Sequence, residues 1–258
     1  MFYRYTKSAA RVACDLAGLY EGQDLYLLGG APILKALPLE QLRRPGIVTL
    51  AVNNVPYVFP KPTMWLALDK PVCFSPHVYL DPSIQKFTSI GRRDQLVGDT
   101  GKKVWQCPNL FFFGTKDDFT VGDFLRADRD LVWWKSVFPC ALQLAWRLGF
   151  EKIHLVGCSF ETGPQGHYAW ETNHDQAERD WSRRTYSNDL ERIKQLLPTF
   201  AQHKLELVSC TPNSQANGML SYVQLAEAIQ ITLSKLPRPA DTMALRHSSK
   251  ASTGERGA

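Results

Sequence analysis

The chain is 258 residues long, 44% hydrophobic and 21% charged, enough for one large domain or two small ones and incompatible with a collagen, a coiled coil or a wholly disordered chain. Its formal net charge is +5; residues 237–258 hold four basic and two acidic residues, so the tail carries +2 and the body only about +3, which gives no signal for nucleic acid. No run approaches about 18 apolar residues, so no transmembrane helix is expected. The opening MFYRYTKSAARVACDL lacks the apolar stretch and small-residue cleavage site of a signal peptide.

Six cysteines stand at 14, 73, 107, 140, 158 and 210, with no Cys-x-x-Cys pair, so a zinc ribbon or thioredoxin-type motif is absent. Cys140 and Cys158 sit inside apolar runs. They read as small buried residues of a reducing compartment, so a cytoplasmic protein is expected, and with no long apolar run no membrane partner is expected.

In chain order, residues 1–22 read as a short amphipathic helix ending near Gly22. DLYLLG (24–29), IVTLAV (47–52) and TMWLAL (63–68) are three short apolar runs. Each is closed by small or polar residues, as in parallel strands buried on both faces. Residues 70–135 allow an insertion, with strands near 86–90 and within 104–113, and residues 114–130 read as surface loop. A helix is predicted from Ser136 to Leu148, then a strand over 152–156, a polar aromatic loop over 158–175, and a long helix over about 176–201 with a break at Pro198. A strand over 205–210, a turn and a last helix over 222–236 complete the single domain of residues 23–236, and residues 237–258 read as a disordered tail. This order predicts an α/β fold, a Rossmann-like mostly parallel sheet with helices on both faces.

In such sheets a ligand lies beyond the carboxyl ends of the strands. The candidates there are Gly29, Gly30, Asn53, Asn54, Asp69, residues 157–160 and residues 211–214. Glycines in the first turn let backbone approach a phosphate, or simply make a tight turn. Asn53 and Asn54 can pair with a base or a ribose hydroxyl, or serve as turn formers. Asp69 can hold ribose or a metal, or cap the turn before Pro71. Asp128-Arg129-Asp130 has the Asp-x-Asp spacing that suits a hard cation, a pattern also common on surfaces. Gly98-Asp99-Thr100-Gly101-Lys102-Lys103 only faintly echoes a phosphate-binding loop. The loop containing His167, Tyr168, Trp170, Glu171, His174 and Asp175 holds the densest set of titratable and aromatic groups, and either histidine can move a proton near neutrality. The spacing of the two histidines matches no zinc pattern, so no metal ligand is assigned. Tyr186 is a site hydroxyl or a core aromatic. The aromatic stretches LVWWKSVF and LFFFG fit core or a subunit interface, which leaves a homo-oligomer open.

Taken in order, LLGGAPIL, LAVNNVPY, LALDKP, SVFPCALQLAWRLGFEKIHLVGCSFE, HYAWE, SNDLERIKQLL and LELVSCTPNS resemble the bacterial sialyltransferases of glycosyltransferase family 42. They resemble at least as much their relatives grouped with the archaeal 6-hydroxymethylpterin pyrophosphokinase, which are often phage-encoded. The resemblance spans roughly residues 23–230. It implies that Gly29, Gly30, Ala31 and Asn53 hold the cytidine nucleotide of a CMP-sugar, that Ser136 lies near sugar or phosphate, and that Tyr168 approaches the leaving phosphate. Asn213 and Ser214 match the turn after the late strand. Three positions depart from the pattern. Ala31-Pro32-Ile33 stands for Gly-Pro-Ser, Ser159 stands for an aspartate, and Tyr186 stands where the family places its histidine base. A tyrosine with a pKa near 10 is a poor base at pH 7, which shifts that role to His167 or His174.

The leading expectation is a nucleotide-sugar-dependent glycosyltransferase-like protein with a donor of CMP or UDP type and an unidentified acceptor. No cofactor is assigned; a diphosphate donor would call for a divalent cation. The alternatives are a pterin-type pyrophosphokinase-like enzyme using ATP and magnesium, with Asp69, Asp128 and Asp130 as its only available ligands, or a catalytically degenerate nucleotide-binding protein.

Overall fold

The computed structural model describes residues 1–117, 120–161, 168–170 and 176–236. The expected tail at 237–258 lies outside them. The three apolar runs form β3 (Asp24–Leu28), β4 (Val48–Val52) and β5 (Met64–Ala67). Every residue of the three strands is buried, so alternation is absent because both faces of the sheet are covered. The sheet continues through β6 (Gln85–Ser89) and β7 (Leu110–Phe113) on one side. On the other side lie β10 (Lys152–Val156), β11 (Glu206–Ser209) and β12 (Ser221–Tyr222). With β1 (Phe2–Tyr5) and β2 (Arg11–Cys14), the order is β12-β11-β10-β3-β4-β5-β6-β7-β1-β2. All neighbours pair in parallel except β7-β1 and β1-β2. The α/β class and the mostly parallel sheet are therefore as expected.

The helix expected over residues 1–22 is instead the β1-β2 hairpin. Along FYRY only Phe2 is fully buried, Tyr3 and Tyr5 are half-buried and Arg4 is exposed, so contacts with the sheet, and not a local period, decide the element. Phe2 meets Phe87 and Phe113 edge-on at 5.9 and 6.5 Å. Residues 85–113 extend the sheet through β6 and β7. The stretch read as surface loop contains β8 (Thr115–Lys116), paired in parallel with β9 (Leu131–Val132). Leu131 and Val132 are fully buried, and Gln143 clamps Val132, accepting from its N–H at 3.1 Å and donating to its carbonyl at 3.0 Å. LFFF and Trp134 are likewise buried within the single chain.

The α-helices among the described residues are α1 (Pro76–Leu80), α2 (Val137–Arg147), α3 (Gln176–Gln202) and α4 (Leu225–Ser234). α3 continues through Pro198 without the expected break. The links from β3 to β4 and from β4 to β5 contain short 3-10 turns. Pro32, Pro38 and Pro56 lie in these links or open their turns, and proline is compatible with a first turn but not with helix interior. Among the described residues no helix is long and apolar enough to cross a membrane. All six cysteines are described and free, four of them buried.

Candidate functional site

The chain leaves β3 outward through β4 to β7 and only later returns to β10 on its other flank. The carboxyl ends of β3 and β10 are therefore a topological switch point, where diverging connections leave a crevice. A cavity of about 170 Å³ lies there.

Its floor is two interlocked turns. Gly29 N donates to Val156 O at 2.8 Å and Ala31 N to Gly157 O at 3.0 Å. A Cβ on Gly29 would come within 2.7 Å of both Cys158 Sγ and Gly157 O, so glycine is required for the turns to approach. Burial pushes the Cys158 thiol up to about 12, and the bond with the Gly29 backbone opposes that only in part. Cys158 is thus an inert packing group. At Gly30 a Cβ would overlap the Trp170 ring. Ala169 N donates to Gly30 O at 2.8 Å, and Tyr168 stacks on Trp170 at 4.9 Å and 7°. The bare Cα of Gly30 thus admits an aromatic pair. Gly30→Ala is expected to cost about 1–3 kcal/mol through overpacking. The cost should shrink when Trp170→Ala is added, as a double-mutant cycle in chemical denaturation would show.

Asn53 follows β4 and lines the cavity in the left-handed region, φ 48°. Its carbonyl accepts from Trp65 Nε1 at 2.7 Å and its N–H donates to Leu66 O at 3.0 Å. Its side-chain Oδ1 is buried without a hydrogen-bond partner among the described residues. Asp69 sits exposed on the rim after β5. Trp134, Lys135 and Phe160 also have positive φ, at 43°, 60° and 55°, and the last two line the cavity. Bulky residues hold that conformation only when their surroundings impose it.

Ser136 caps α2, its Oγ accepting from Phe138 N at 3.3 Å. Ser136, Val137 and Phe138 bring the positive end of an eleven-residue helix to the cavity wall. The same Oγ donates to Asp189 Oδ2 at 2.7 Å. Asp189, on α3, is 2% exposed and lines the cavity. Burial raises its pKa to about 6, against the lowering effects of the Ser136 bond and of Arg192. The Arg192 guanidinium lies 3.7 Å from Oδ1, near enough to attract but too far to hydrogen-bond, and Oδ1 has no hydrogen-bond partner among the described residues. Tyr186, one turn earlier, also lines the cavity. Burial first, and then a bond with the Tyr168 side chain, raise its phenol well above 10. Tyr186 is therefore a neutral hydroxyl and not a base.

The structure thus brings Gly29, Gly30, Ala31, Asn53, Asp69, Ser136, Ser159, Tyr168 and Tyr186 to one cavity. It does not bring three other candidates there. Asn54 lines a separate cavity of about 200 Å³ beside Tyr57 and His77. Ser214 supports the turn after β10 from outside the cavity, donating to Cys158 O at 2.7 Å and accepting from Ala216 N at 3.2 Å. Asn213 makes the left-handed bend before it, φ 56°. Ser159 turns its hydroxyl back toward Glu161 O at 3.4 Å. His167 and His174 lie outside the described residues.

Sequence reasoning misses Asp189, although it stands three residues after the candidate Tyr186. The spacing i, i+3 that sets both on one helix face was the available signal. Lys135, Trp181 and Thr185 were also missed; they line this cavity and a second of about 510 Å³ that adds Arg184 and Arg192. Asp128 is exposed and paired with Arg126 at 2.8 Å. Neither Asp128 nor Asp130 lines the cavity with Asp69. Among the described residues no three His, Cys, Asp or Glu side chains are grouped to hold a metal.

No protein-family model and no curated protein matches the sequence. Among solved structures, the chain is similar to the sialyltransferase CstII from Campylobacter jejuni in complex with CMP-3FNeuAc. That match has 15% identity and a TM-score of 0.45, and covers 80% of this chain and 88% of that one. It is similar to the same enzyme with a trisaccharide acceptor and CMP at 15% identity and a TM-score of 0.42, with the same coverage. It is also similar to a mammalian sialyltransferase in complex with Gal-beta-1-3GalNAc-ortho-nitrophenol, at 14% identity and a TM-score of 0.38, over 72% of this chain and 68% of that one.

Proposed function

We propose that the protein binds a pyrimidine nucleotide-sugar at the switch-point cavity and transfers the sugar to an acceptor hydroxyl. The observation that carries this reading is the meeting, in one crevice, of a helix N-terminus, two interlocked glycine turns and an asparagine with a buried, unsatisfied amide oxygen. A helix start favours a phosphate. An amide oxygen needs a donor such as a nucleobase amino group or a ribose hydroxyl. The phosphate would face residues 136–138 with Lys135 beside it, Asn53 would take the nucleoside, and Asp69 the ribose. The Tyr168 and Tyr186 hydroxyls, both on the same wall, would donate to the departing phosphate. The order of motifs directs the donor to the CMP type, with UDP as the neighbouring choice. The cationic cavity sharing Lys135, Trp181 and Thr185 is the approach for the acceptor.

A nucleotide panel tests the reading: CMP, CDP, UDP, GDP and ATP, each with and without magnesium. A ligand at 100 times its dissociation constant stabilises by about 2.7 kcal/mol, a rise of at least ~2 °C for a chain this long. The expected result is a rise with CMP or UDP that disappears in Asn53→Ala. A rise confined to ATP with magnesium would replace the reading with a pyrophosphokinase. No rise with any nucleotide would overturn it, and binding without turnover of any sugar donor would leave only a nucleotide-binding protein.

A further inference from the structure

Removing a proton from an acceptor hydroxyl requires a base in the crevice, and Tyr186 is too weak an acid to supply one. We infer that Asp189 is that base, with Ser136 and Arg192 as its positioning residues; the inference rests on the transferase reading. The geometry has three parts. First, Asp189 is a carboxyl that lines the cavity while only 2% exposed. Secondly, Oδ2 is fixed by the Ser136 hydroxyl at 2.7 Å, and Ser136 is itself locked as the cap of α2, so the carboxyl plane is set by a second element. Thirdly, Oδ1 is buried and lacks a hydrogen-bond partner among the described residues. A buried carboxylate oxygen without a donor is costly to keep, and such groups concentrate where a ligand supplies the missing proton.

The charged and titratable groups around it are Arg192 and Tyr186 on its own helix, Lys135 ahead of α2, Asp69 after β5, Cys158 after β10, and Tyr168. Arg192 also stacks on the Trp134 ring at 4.5 Å, which holds its guanidinium beside Oδ1 without closing the 3.7 Å gap. Burial keeps the carboxyl's pKa at about 6, so the group is ionised at pH 7 yet basic enough to take a proton in the transition state.

In the step, the acceptor O–H bond breaks and its proton passes to Oδ1. The acceptor oxygen forms a bond to the anomeric carbon. The bond from that carbon to the nucleotide phosphate breaks, and its electron pair leaves on the phosphate oxygen. Asp189 then returns its proton to solvent. Water serves as acceptor in donor hydrolysis, so the assay needs no acceptor of known identity.

The experiment measures nucleotide release from CMP- and UDP-sugars by wild type and by Asp189→Asn between pH 5 and 8, with nucleotide binding followed by thermal shift in both. The expected result is that Asp189→Asn keeps the nucleotide-induced shift within about twofold in affinity and loses about 100-fold or more in release rate. Wild type should lose activity as the pH falls through about 6, because the protonated carboxyl cannot accept, and that limb should vanish in the variant. Ser136→Ala, which frees the carboxyl to rotate, should move the limb and lower the rate. Infrared difference spectra of wild type against Asp189→Asn should show a carboxyl titrating near pH 6. Release by Asp189→Asn at the wild-type rate with the same acid limb, or no such carboxyl band, would overturn the assignment while the transferase reading stands. A wild type that binds no nucleotide would overturn both.

Discussion

Asp24→Ala is expected to destabilise the protein by about 3–5 kcal/mol, the range for removing one partner of a buried charged network. Asp24 opens β3 and is 8% exposed. Its carboxylate accepts from Thr232 Oγ1 at 2.7 Å and from Lys235 Nζ at 3.0 Å, and His154 Nε2 stands 3.5 Å away. Tyr26 hydrogen-bonds Thr232 at 2.8 Å and stacks on His154 at 4.6 Å. The network fastens α4 to β3 and β10, at the strand ends opposite the cavity. Burial alone would raise the Asp24 pKa, but the bonds from His154, Thr232 and Lys235 overcome it and hold the carboxyl well below its usual range.

The sign of the pH dependence follows. A carboxyl depressed on folding contributes its stability fully above the unfolded pKa of about 4, and that contribution is lost as pH falls below it. Chemical denaturation of wild type and Asp24→Asn should therefore show a gap at pH 7 that narrows by pH 3. A gap that stays constant would refute the account.

Trp65→Ala should cost a similar amount, about 3–5 kcal/mol, through the cavity it leaves. Trp65 is fully buried on β5, with Phe74 and Tyr79 edge-on at 5.4 and 4.9 Å. Its indole N–H holds the Asn53 carbonyl, and so holds a non-glycine residue at positive φ on the cavity wall. Trp65→Phe separates the two roles. It keeps most of the ring and loses one hydrogen bond, about 1 kcal/mol, yet the Asn53 carbonyl loses its donor and the residue keeps only its N–H bond to Leu66 O. Nucleotide affinity should then fall by more than global stability does, as titrations and denaturation on the same variant would show. Equal effects, or unchanged affinity, would mean that Asn53 holds its place without the indole.

The centre of the fold was legible because β3, β4 and β5 are short runs buried from end to end, a pattern that survives without tertiary information. The edges were not. The residues of β1 are specified as strand mainly by partners far along the chain, Phe87 and Phe113 among them. β8 and β9 are two residues each, too short for any period to register. The strand-end candidates converged because topology alone places strand ends together. Asn213 and Ser214 also follow a strand, yet they form the back of a neighbouring turn, a distinction that depends on which way a loop folds. Asp189 escaped notice because it lies in the polar, charged segment SNDLERIK. Its burial arises only where α3 crosses the start of α2.

The pairing of Tyr3 with Phe112 has a consequence in time. At a synthesis rate of about 10 residues per second, β1 waits roughly ten seconds for β7, the strand that completes it. The central pair waits longer still, since β3 has its β10 neighbour only once residues 152–156 exist. A nascent chain therefore carries an open apolar strand edge at the very place where the finished protein has its crevice, and chaperone dependence during translation should track how quickly the middle third of the chain is made.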